Sequence, residues 1–148
     1  MNWEVKHLNA KGTGAMMEMA YRPAMDGVEG CLYIGLSPQC NSVFDMSEKI
    51  RYKLTPVEAA EVLQVLRGEC ESIRDGKGLY YRSNGMAVRL QFRHILEPVL
   101  GYSLELYEEM ERARTCRIFL SYSEALVMSY AIEHTLAQMV FGRWSHVF

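Results

Sequence analysis

The chain has 148 residues, of which 49% are hydrophobic, and 16 Lys and Arg residues nearly balance 18 Asp and Glu residues, for a net charge of −2. This length is typical of one domain, so we predict a single domain over residues 1–148, and the composition excludes an intrinsically disordered chain. The charge excludes a uniformly basic nucleic-acid-binding protein, although one face can still be basic because net charge averages over the whole surface.

The first half of the chain begins with four predicted strands. Extended runs broken by Gly and Pro place these strands at residues 3–8, 16–21, 31–36 and 49–54. The fourth run alternates strictly between basic and apolar residues, which is typical of a half-buried strand. Its predicted outward face therefore carries three cations: Lys49, Arg51 and Lys53.

A helix is predicted directly after the fourth strand. Thr55 and Glu58 form a capping box around Pro56, a residue favoured at the first helical position. An apolar stripe at helical spacing continues as far as Cys70 and Ile73. We therefore expect the helix to end only before the Asp-Gly-Lys-Gly turn that follows.

The second half of the chain repeats this order of elements. Strands are predicted at residues 79–82, 86–93, 102–107 and 115–120. The charged stretch of residues 108–114 predicts a solvated loop between the last two of these strands. A second capping box, at Ser121 and Glu124, begins a helix that we expect to end near Phe141.

The two strand-to-helix junctions align without a gap. A Leu-Thr-x-x-Glu-Ala segment begins at Leu54, and a Leu-Ser-x-x-Glu-Ala segment begins 66 residues later, at Leu120. We interpret this as an internal repeat, roughly residues 3–75 and 79–142, with a short tail at 143–148; the alternative is coincidence, since capping boxes are common. The connections are too short for parallel crossovers, so the predicted fold is α+β with two antiparallel sheets, each a ββββα unit.

Motifs of catalysis and metal binding are absent from the sequence. There is no nucleophile elbow, zinc-protease motif, phosphate-binding loop or dinucleotide fingerprint, and the four histidines are scattered. Four cysteines occur without a C-x-x-C pair or zinc spacing. We therefore predict a protein that is not an enzyme, with no cofactor and no metal.

The cysteines and the chain ends also predict where the protein acts. Cysteines without a disulfide pattern are typical of a reducing compartment. No apolar run is long enough to span a membrane, and residues 1–11 lack the apolar core of a signal peptide. We therefore expect a cytoplasmic protein.

Cations and aromatic residues share the predicted outward strand faces. Cations follow phosphates and rings stack on bases, so this combination is typical of a surface that binds single-stranded nucleic acid. The alternative is an ordinary solvated face, because exposed and edge strands normally carry Lys and Arg. The predicted binding residues on the strands are Lys49, Arg51, Lys53, Arg89, Gln91, Arg93, Arg117 and Phe119.

Two short stretches and the order of elements resemble a known family. Lys11-Gly12-Thr13-Gly14-Ala15 resembles a Lys-Gly-Lys-Ala-Ala strand motif, with Thr13 in place of the second lysine, and the segment 139–144 resembles an apolar helix end closing on Gly-Trp. These features are similar to those of the Whirly proteins, which bind single-stranded DNA. Their superfamily includes guide-RNA-binding mitochondrial proteins and single-stranded-DNA-binding transcriptional coactivators.

The resemblance implies further properties of the fold and the binding site. It implies two sheets packed crosswise with helices on one side, a tetramer joined through those helices, and single strands that run across the sheet faces and edges. It also adds Lys11 and Gly12 to the predicted binding residues, because these two positions match the family motif.

We predict a non-enzymatic, sequence-tolerant protein that binds single-stranded nucleic acid. The predicted partner is single-stranded DNA, with RNA left open, in replication, recombination, repair or transcription. The alternative is a protein-interaction or assembly module with the same fold. The net charge of −2 and Thr13 favour this alternative, whereas the cationic strand faces favour nucleic-acid binding.

The second predicted helix is apolar nearly all round. Away from its main stripe it carries Leu126, Tyr130, Ala137 and Phe141. One small domain covers only one side of a surface helix, so these residues predict a homo-oligomer, a tetramer by the family resemblance. The alternative is a monomer in which the tail of residues 143–148 folds back over the helix.

Overall fold

The computed structural model describes residues 2–142, which form two antiparallel sheets and two helices. The first sheet has the order β1-β2-β3-β5, with the short β4 paired to the end of β3. Its strands are β1 (Asn2–His7), β2 (Ala15–Arg22), β3 (Cys31–Cys40), β4 (Val43–Phe44) and β5 (Ile50–Leu54). The helix α1 (Pro56–Leu66) follows.

The second sheet has the sequential order β6-β7-β8-β9. Its strands are β6 (Leu79–Ser83), β7 (Met86–Ile95), β8 (Gly101–Glu109) and β9 (Ala113–Leu120), and α2 (Tyr122–Phe141) follows. The predicted α+β fold with two antiparallel sheets and two helices is confirmed, and the first unit contains one short strand, β4, that the sequence pattern does not predict. The boundaries of the internal repeat remain a prediction.

The core lies between the inner faces of the sheets and the two helices. Strict alternation buries every second residue of the central strands, including Ile34, Tyr52, Leu90, Leu104 and Ile118. Strand β3 contacts β9, and β5 contacts β8, so the two sheets share this core. Helix α1 packs on α2 and β7, and α2 packs on β2, β8 and β9. The opposite faces of both sheets point away from this core.

Both predicted capping boxes are present, and each is tied to a strand. The hydroxyls of Thr55 and Ser121 accept hydrogen bonds from the backbone N–H groups of the two box glutamates. The glutamate carboxylates accept in return from the backbone N–H groups of the cap residues, at 3.0 and 2.9 Å. Tyr52 donates to Glu58 at 2.9 Å, and His7 Nε2 lies 2.7 Å from Glu124. In both helices, the capping-box glutamate therefore links the first turn to a side chain of a strand.

Helix α1 is shorter than the sequence pattern predicts. It ends at Leu66 in a Schellman motif, with Gly68 at a φ of +76°. The N–H of Gly68 donates to Val65 O and the N–H of Glu69 to Gln64 O, both at 3.0 Å. The placement of Cys70 on the helix stripe was therefore wrong, because glycine at 68 ends the helix first and leaves Cys70 exposed.

The predicted solvated loop between β8 and β9 is also wrong. Strand β8 continues to Glu109 and β9 begins at Ala113, so only residues 110–112 form the turn. The side chain of Glu108 is only 8% exposed and pairs with Arg114. Arg114 also binds Glu48 at 3.0 Å, and Arg112 binds Glu48 at 2.5 Å. A buried carboxylate requires such a partner, and this network ties the hairpin to the first half of the chain.

Strand β3 extends beyond its predicted end at Leu36. Pro38 lies between the part of β3 that pairs with β5 and the part that pairs with β4. Proline has no backbone N–H, but at this position no hydrogen bond between strands is lost, so the strand continues to Cys40.

Neither helix within residues 2–142 is long and apolar enough to cross a membrane.

Candidate nucleic-acid interface

The outer face of the second sheet combines three aromatic rings with four arginines. We call it the second-sheet face. Alternation in the four strands places these side chains opposite the core. Its defining residues are Tyr80, Arg82, Arg89, Gln91, Arg93, Glu105, Tyr107, Arg117 and Phe119.

Arg89 lies between two tyrosines in the central row of this face. It pairs across the sheet with Tyr80 on β6 and with Tyr107 on β8. Tyr80 is 48% exposed, and Arg82 donates to its hydroxyl at 3.1 Å. Desolvation, followed by the neighbouring Glu109, raises the pKa of Tyr107, so its ring stays neutral at physiological pH. The row therefore offers a cation between two aromatic rings.

The cations of the second-sheet face differ in their carboxylate partners. Within residues 2–142, neither Arg89 nor Arg93 forms an ion pair. Arg117 instead donates through Nε to Glu105 at 2.9 Å, and its guanidinium lies 5.9 Å from the centre of the Phe119 ring. Gln91 donates to the carbonyl of Gly76 at 3.1 Å. Arg89 and Arg93 are thus the cations best placed to meet a phosphate.

The outer face of the first sheet is a second, more mixed surface. We call it the first-sheet face. Arg51 and Lys53 are exposed on it, and Lys53 pairs across the sheet with Tyr33. Hydrogen bonding to Cys31, followed by desolvation, raises the pKa of Tyr33 despite two nearby arginines. The face is made of Asn2, Glu4, Glu18, Ala20, Tyr33, Gly35, Lys49, Arg51 and Lys53.

Lys49 occupies a different environment from the other two predicted cations. It precedes β5, and its side chain is only 11% exposed. Its Nζ lies 2.9 Å from both carboxylate oxygens of Glu18. A Cβ added at Gly35 would lie 3.3 Å from Lys49 Cδ, so this glycine leaves space for the lysine to cross β3. The charge of Lys49 is therefore already matched by a carboxylate.

Lys11 and Gly12 lie in the turn between β1 and β2, outside the strand that the motif resemblance implies. Gly12 has a φ of +74° and donates to Asn9 O at 3.3 Å. Thr13 exchanges two 3.0 Å hydrogen bonds with the Asn9 side chain. Thr13 therefore stabilises the turn, and the structure does not bring Lys11 onto either sheet face.

Alternation could have revealed four more residues of these faces. Tyr33, Tyr80, Arg82 and Tyr107 lie on their strands at positions that alternate with buried residues. Assigning inward and outward positions along β3, β6 and β8 would have found them.

Within residues 2–142, no group of three or more His, Cys, Asp or Glu side chains could hold a metal ion.

Helix α2 exposes a stripe of apolar side chains, interrupted by Glu133, which pairs with Arg67 at 3.0 Å. Leu126 is 56% exposed and Tyr130 is 65% exposed, and Ala137 and Phe141 are also exposed. The residues that the helix buries are Ala125, Met128, Ile132, Thr135 and Met139. The alternative of a tail folded over this stripe concerns residues 143–148, which lie outside the described residues.

Two antiparallel sheets, of five and four strands and each followed by a capped helix, define this protein as one with a Whirly-like fold. No family model matches the chain, and no curated protein matches it. Solved structures do match. The chain is similar to the plant transcriptional regulator PBF-2, with a TM-score of 0.78 and 14% identity over 99% of this chain and 85% of that one.

Two other solved structures show the same likeness. WHY1 from Arabidopsis thaliana has a TM-score of 0.73 and 17% identity, over 94% of this chain and 86% of that one. A guide-RNA-binding protein complex bound to a guide RNA has a TM-score of 0.65 and 15% identity, over 91% and 88%. The expected resemblance in fold to the Whirly proteins is therefore confirmed.

Proposed function

We propose that this protein binds single-stranded nucleic acid, principally single-stranded DNA, on the outer faces of its two sheets and without catalysis. The observation that carries the proposal is the position of Arg89 between Tyr80 and Tyr107 with no carboxylate partner in the described chain. Arginine attracts a phosphate, and each ring offers a base a stacking surface worth about 1–3 kcal/mol. Because every base has a π-face, binding on this face tolerates sequence.

The same arrangement favours single strands over duplex. In a duplex the bases are stacked on each other, so rings on an open sheet cannot reach their faces. A single strand can present phosphates to Arg89 and Arg93 while its bases turn toward the tyrosines and Phe119. The preference therefore comes from the rings, and the salt dependence comes from the arginines.

A groove supports a path from one face to the other. It has a volume of about 590 Å³ and is lined by Lys53 of β5, by Thr55, Val57 and Glu58 at the start of α1, by Arg74, and by Tyr81 and Ser83 of β6. Lys53 belongs to the first-sheet face, and Tyr81 and Ser83 belong to β6. A strand that leaves Arg51 and Lys53 can thus continue along this groove toward Tyr80 and Arg82.

We also propose that the protein is a homo-oligomer, most simply a tetramer, joined through the exposed stripe of α2. Leu126 and Tyr130 would be buried against a second copy, as exposed apolar residues on one helix face usually are. Assembly places several basic faces on one strand and so raises their effective concentration. This offsets the modest charge of each chain.

The second candidate function is a protein-interaction or assembly module. The observation that favours it is that Lys49 forms an ion pair with Glu18 and Arg117 forms one with Glu105, which reduces the positive charge of both faces.

For the first function, binding of single-stranded nucleic acid, we propose roles in replication, recombination, repair or transcription. We propose a reducing compartment such as the cytoplasm, since all four cysteines are free.

Fluorescence polarisation with labelled oligo-dT, oligo-U and a duplex of equal length, each at two salt concentrations, tests the proposal. We expect tighter binding to single strands and a fall of log K with log salt of about 0.7 per phosphate neutralised. No binding at low salt would favour the interaction module. Equal affinity for duplex and single strand would contradict stacking on the exposed rings.

A further inference from the structure

The first-sheet face contains a depression that the proposed binding of phosphates by exposed cations does not explain. Its volume is about 260 Å³, and it is lined by Asn2, Glu18, Ala20, Tyr33, Gly35, Lys49 and Arg51. Ala20 lies beside Tyr33, and Gly35 lies beside Glu18 on the neighbouring strand. Two small residues therefore leave a hollow between larger neighbours, with a half-buried tyrosine ring on one side.

The opposite side of the depression carries the pair formed by Lys49 and Glu18. Each carboxylate oxygen accepts one hydrogen bond from Lys49 Nζ at 2.9 Å. A carboxylate has about four lone-pair sites and an ammonium has three N–H donors, so both groups keep unused capacity. The pair can therefore offer one donor beside two acceptor oxygens.

The carboxylate oxygens of this depression favour a ligand that presents N–H donors. Glu4 lies directly across from Glu18 on the neighbouring strand, so two carboxylates face the same side of the sheet. Lys49 pairs with Glu18, and Lys6 lies 3.6 Å from Glu4, so the charge of each carboxylate is matched while its oxygens can still accept hydrogen bonds from N–H donors. Arg51, which forms no ion pair within the described chain, lies at Gly35 and is placed to hold the phosphate of the same nucleotide.

We propose that this depression is a guanine-selective base pocket; the proposal rests on the proposed binding of single strands. Guanine presents the O6 acceptor next to the N1–H and N2–H₂ donors. Lys49 donates to O6, Glu18 accepts from N1–H and N2–H₂, and the base stacks on Tyr33. The rest of the binding surface remains tolerant of sequence, so one position of the bound strand would be read.

The other bases match this edge less well. Thymine and uracil place two carbonyl oxygens around one N–H, so one carbonyl faces the Glu18 carboxylate. Adenine and cytosine each present one amino group beside an unprotonated ring nitrogen. A site built for hydrogen bonds rejects a ligand that leaves its polar groups unpaired.

Fluorescence polarisation with the full chain tests the pocket. The probes are labelled dT oligomers in which one central base is dG, dI, dA, dC or dT. We expect dG to bind about tenfold more tightly than dT, as for one good bidentate base contact. The dI probe, which lacks the N2 amino group, should lie between them.

Glu18→Gln supplies the residue test, because it replaces an acceptor oxygen with a donor. We expect the dG preference to disappear while binding to oligo-dT is kept or strengthened. Glu69→Gln is the matched control, since it removes the same charge at an exposed glutamate after α1, outside both sheet faces, and should keep the preference. If Glu18→Gln fails to fold in a thermal melt, the base series on the unaltered protein decides.

The outcomes separate this inference from the proposed function. Equal affinity for all five probes, with oligo-dT binding intact, would overturn the guanine pocket and leave the proposed function standing. A dG preference that survives in folded Glu18→Gln would also overturn the assignment. No binding of any probe would overturn both proposals.

Discussion

Arg89 and Arg93 differ from Lys49 and Arg117 in the partners that surround them. The first two are exposed without a carboxylate in the described chain, whereas the second two are held by Glu18 and Glu105. A cation that is already matched releases fewer counterions when it meets a phosphate. The contribution of each cation to binding is therefore set by its neighbours as much as by its exposure.

Changing both Arg89 and Arg93 to Ala tests this view at the residue scale. The double variant should bind oligo-dT more weakly. The slope of log K against log salt should become shallower by up to about 1.4, the value expected when two phosphates are no longer neutralised. Each change should cost no more than about 0.5 kcal/mol of unfolding free energy, since both side chains are exposed. Arg67→Ala, at the end of α1, is the control for a lost charge. An unchanged salt slope in the double variant would contradict the role of β7.

The pH dependence of stability should reflect Glu124. Burial raises the pKa of this carboxyl, but hydrogen bonds from Ser121 and the contact with His7 outweigh burial and leave the pKa below its ordinary value of 4.5. A folded-state pKa below the unfolded value stabilises the fold above pH 4.5, and this contribution is lost as the pH falls through the folded value. Glu124→Gln keeps an acceptor oxygen for the cap but loses the charge, so it should lose about 0.5 kcal/mol at pH 7, and its stability should decline less steeply between pH 5 and pH 3.

Urea unfolding at pH 7, 5, 4 and 3 measures this effect. Glu69→Gln, at an exposed glutamate after α1, is the control and should follow the unaltered protein at every pH. Parallel pH curves for Glu124→Gln and the unaltered protein would show that the capping box carries none of the acid sensitivity.

Residue-scale features divide into those that alternation predicts and those it cannot. Alternation in β7 and β9 predicts that Arg89 and Arg117 point away from the core, as the structure shows. It cannot predict the partner of Lys49, because Glu18 lies 31 residues away and meets it only through strand pairing. Sequence patterns therefore indicate the direction of a side chain but not its neighbour.

At the scale of elements, the β8–β9 hairpin depends on a buried carboxylate. Arg114→Ala would leave Glu108 buried without its partner, and we expect a loss of about 3 kcal/mol of unfolding free energy. Arg112→Ala is the matched control, because Arg112 binds the same Glu48 from an exposed position and should cost less than about 1 kcal/mol. Equal losses in the two variants, measured by urea unfolding, would show that burial of Glu108 does not set the cost.

Element boundaries failed where a local signal competed with a periodic one. Helical spacing carried the predicted α1 to Ile73, but the glycine at 68 offers a left-handed cap and ends the helix at Leu66. Charge alone suggested a loop at residues 108–114, because Arg114 finds Glu48 only in the folded chain, 66 residues away. The capping boxes were predictable because each lies within four consecutive residues.

At the scale of the whole molecule, the exposed stripe of α2 predicts assembly. Tyr130→Glu places a charge in the middle of this stripe and should dissociate the oligomer, weakening oligo-dT binding at the same time. Size exclusion with light scattering measures the mass, and Val43→Glu, at an exposed position on β4, is the control. A mass near 17 kDa for the unaltered protein at micromolar concentrations would rule out assembly. Retained assembly in Tyr130→Glu would place the interface elsewhere.

The overall architecture could be predicted because the same signals occur twice. Four extended runs and a capping box in each half indicate two equivalent units, and short connections require antiparallel pairing. Which strands from the two sheets meet, such as β3 with β9, depends on packing between the halves, and no local pattern shows it.

The central claim, that single strands bind on the second-sheet face, is tested most directly by photocrosslinking. Oligo-dT containing 5-iododeoxyuridine is irradiated with the protein, and the crosslinked residues are mapped by mass spectrometry. We expect crosslinks at Tyr80, Tyr107 or Phe119, which are lost when duplex replaces the single strand. Crosslinks confined to α2 or to the turn between β1 and β2, with none on β6, β8 or β9, would contradict the account.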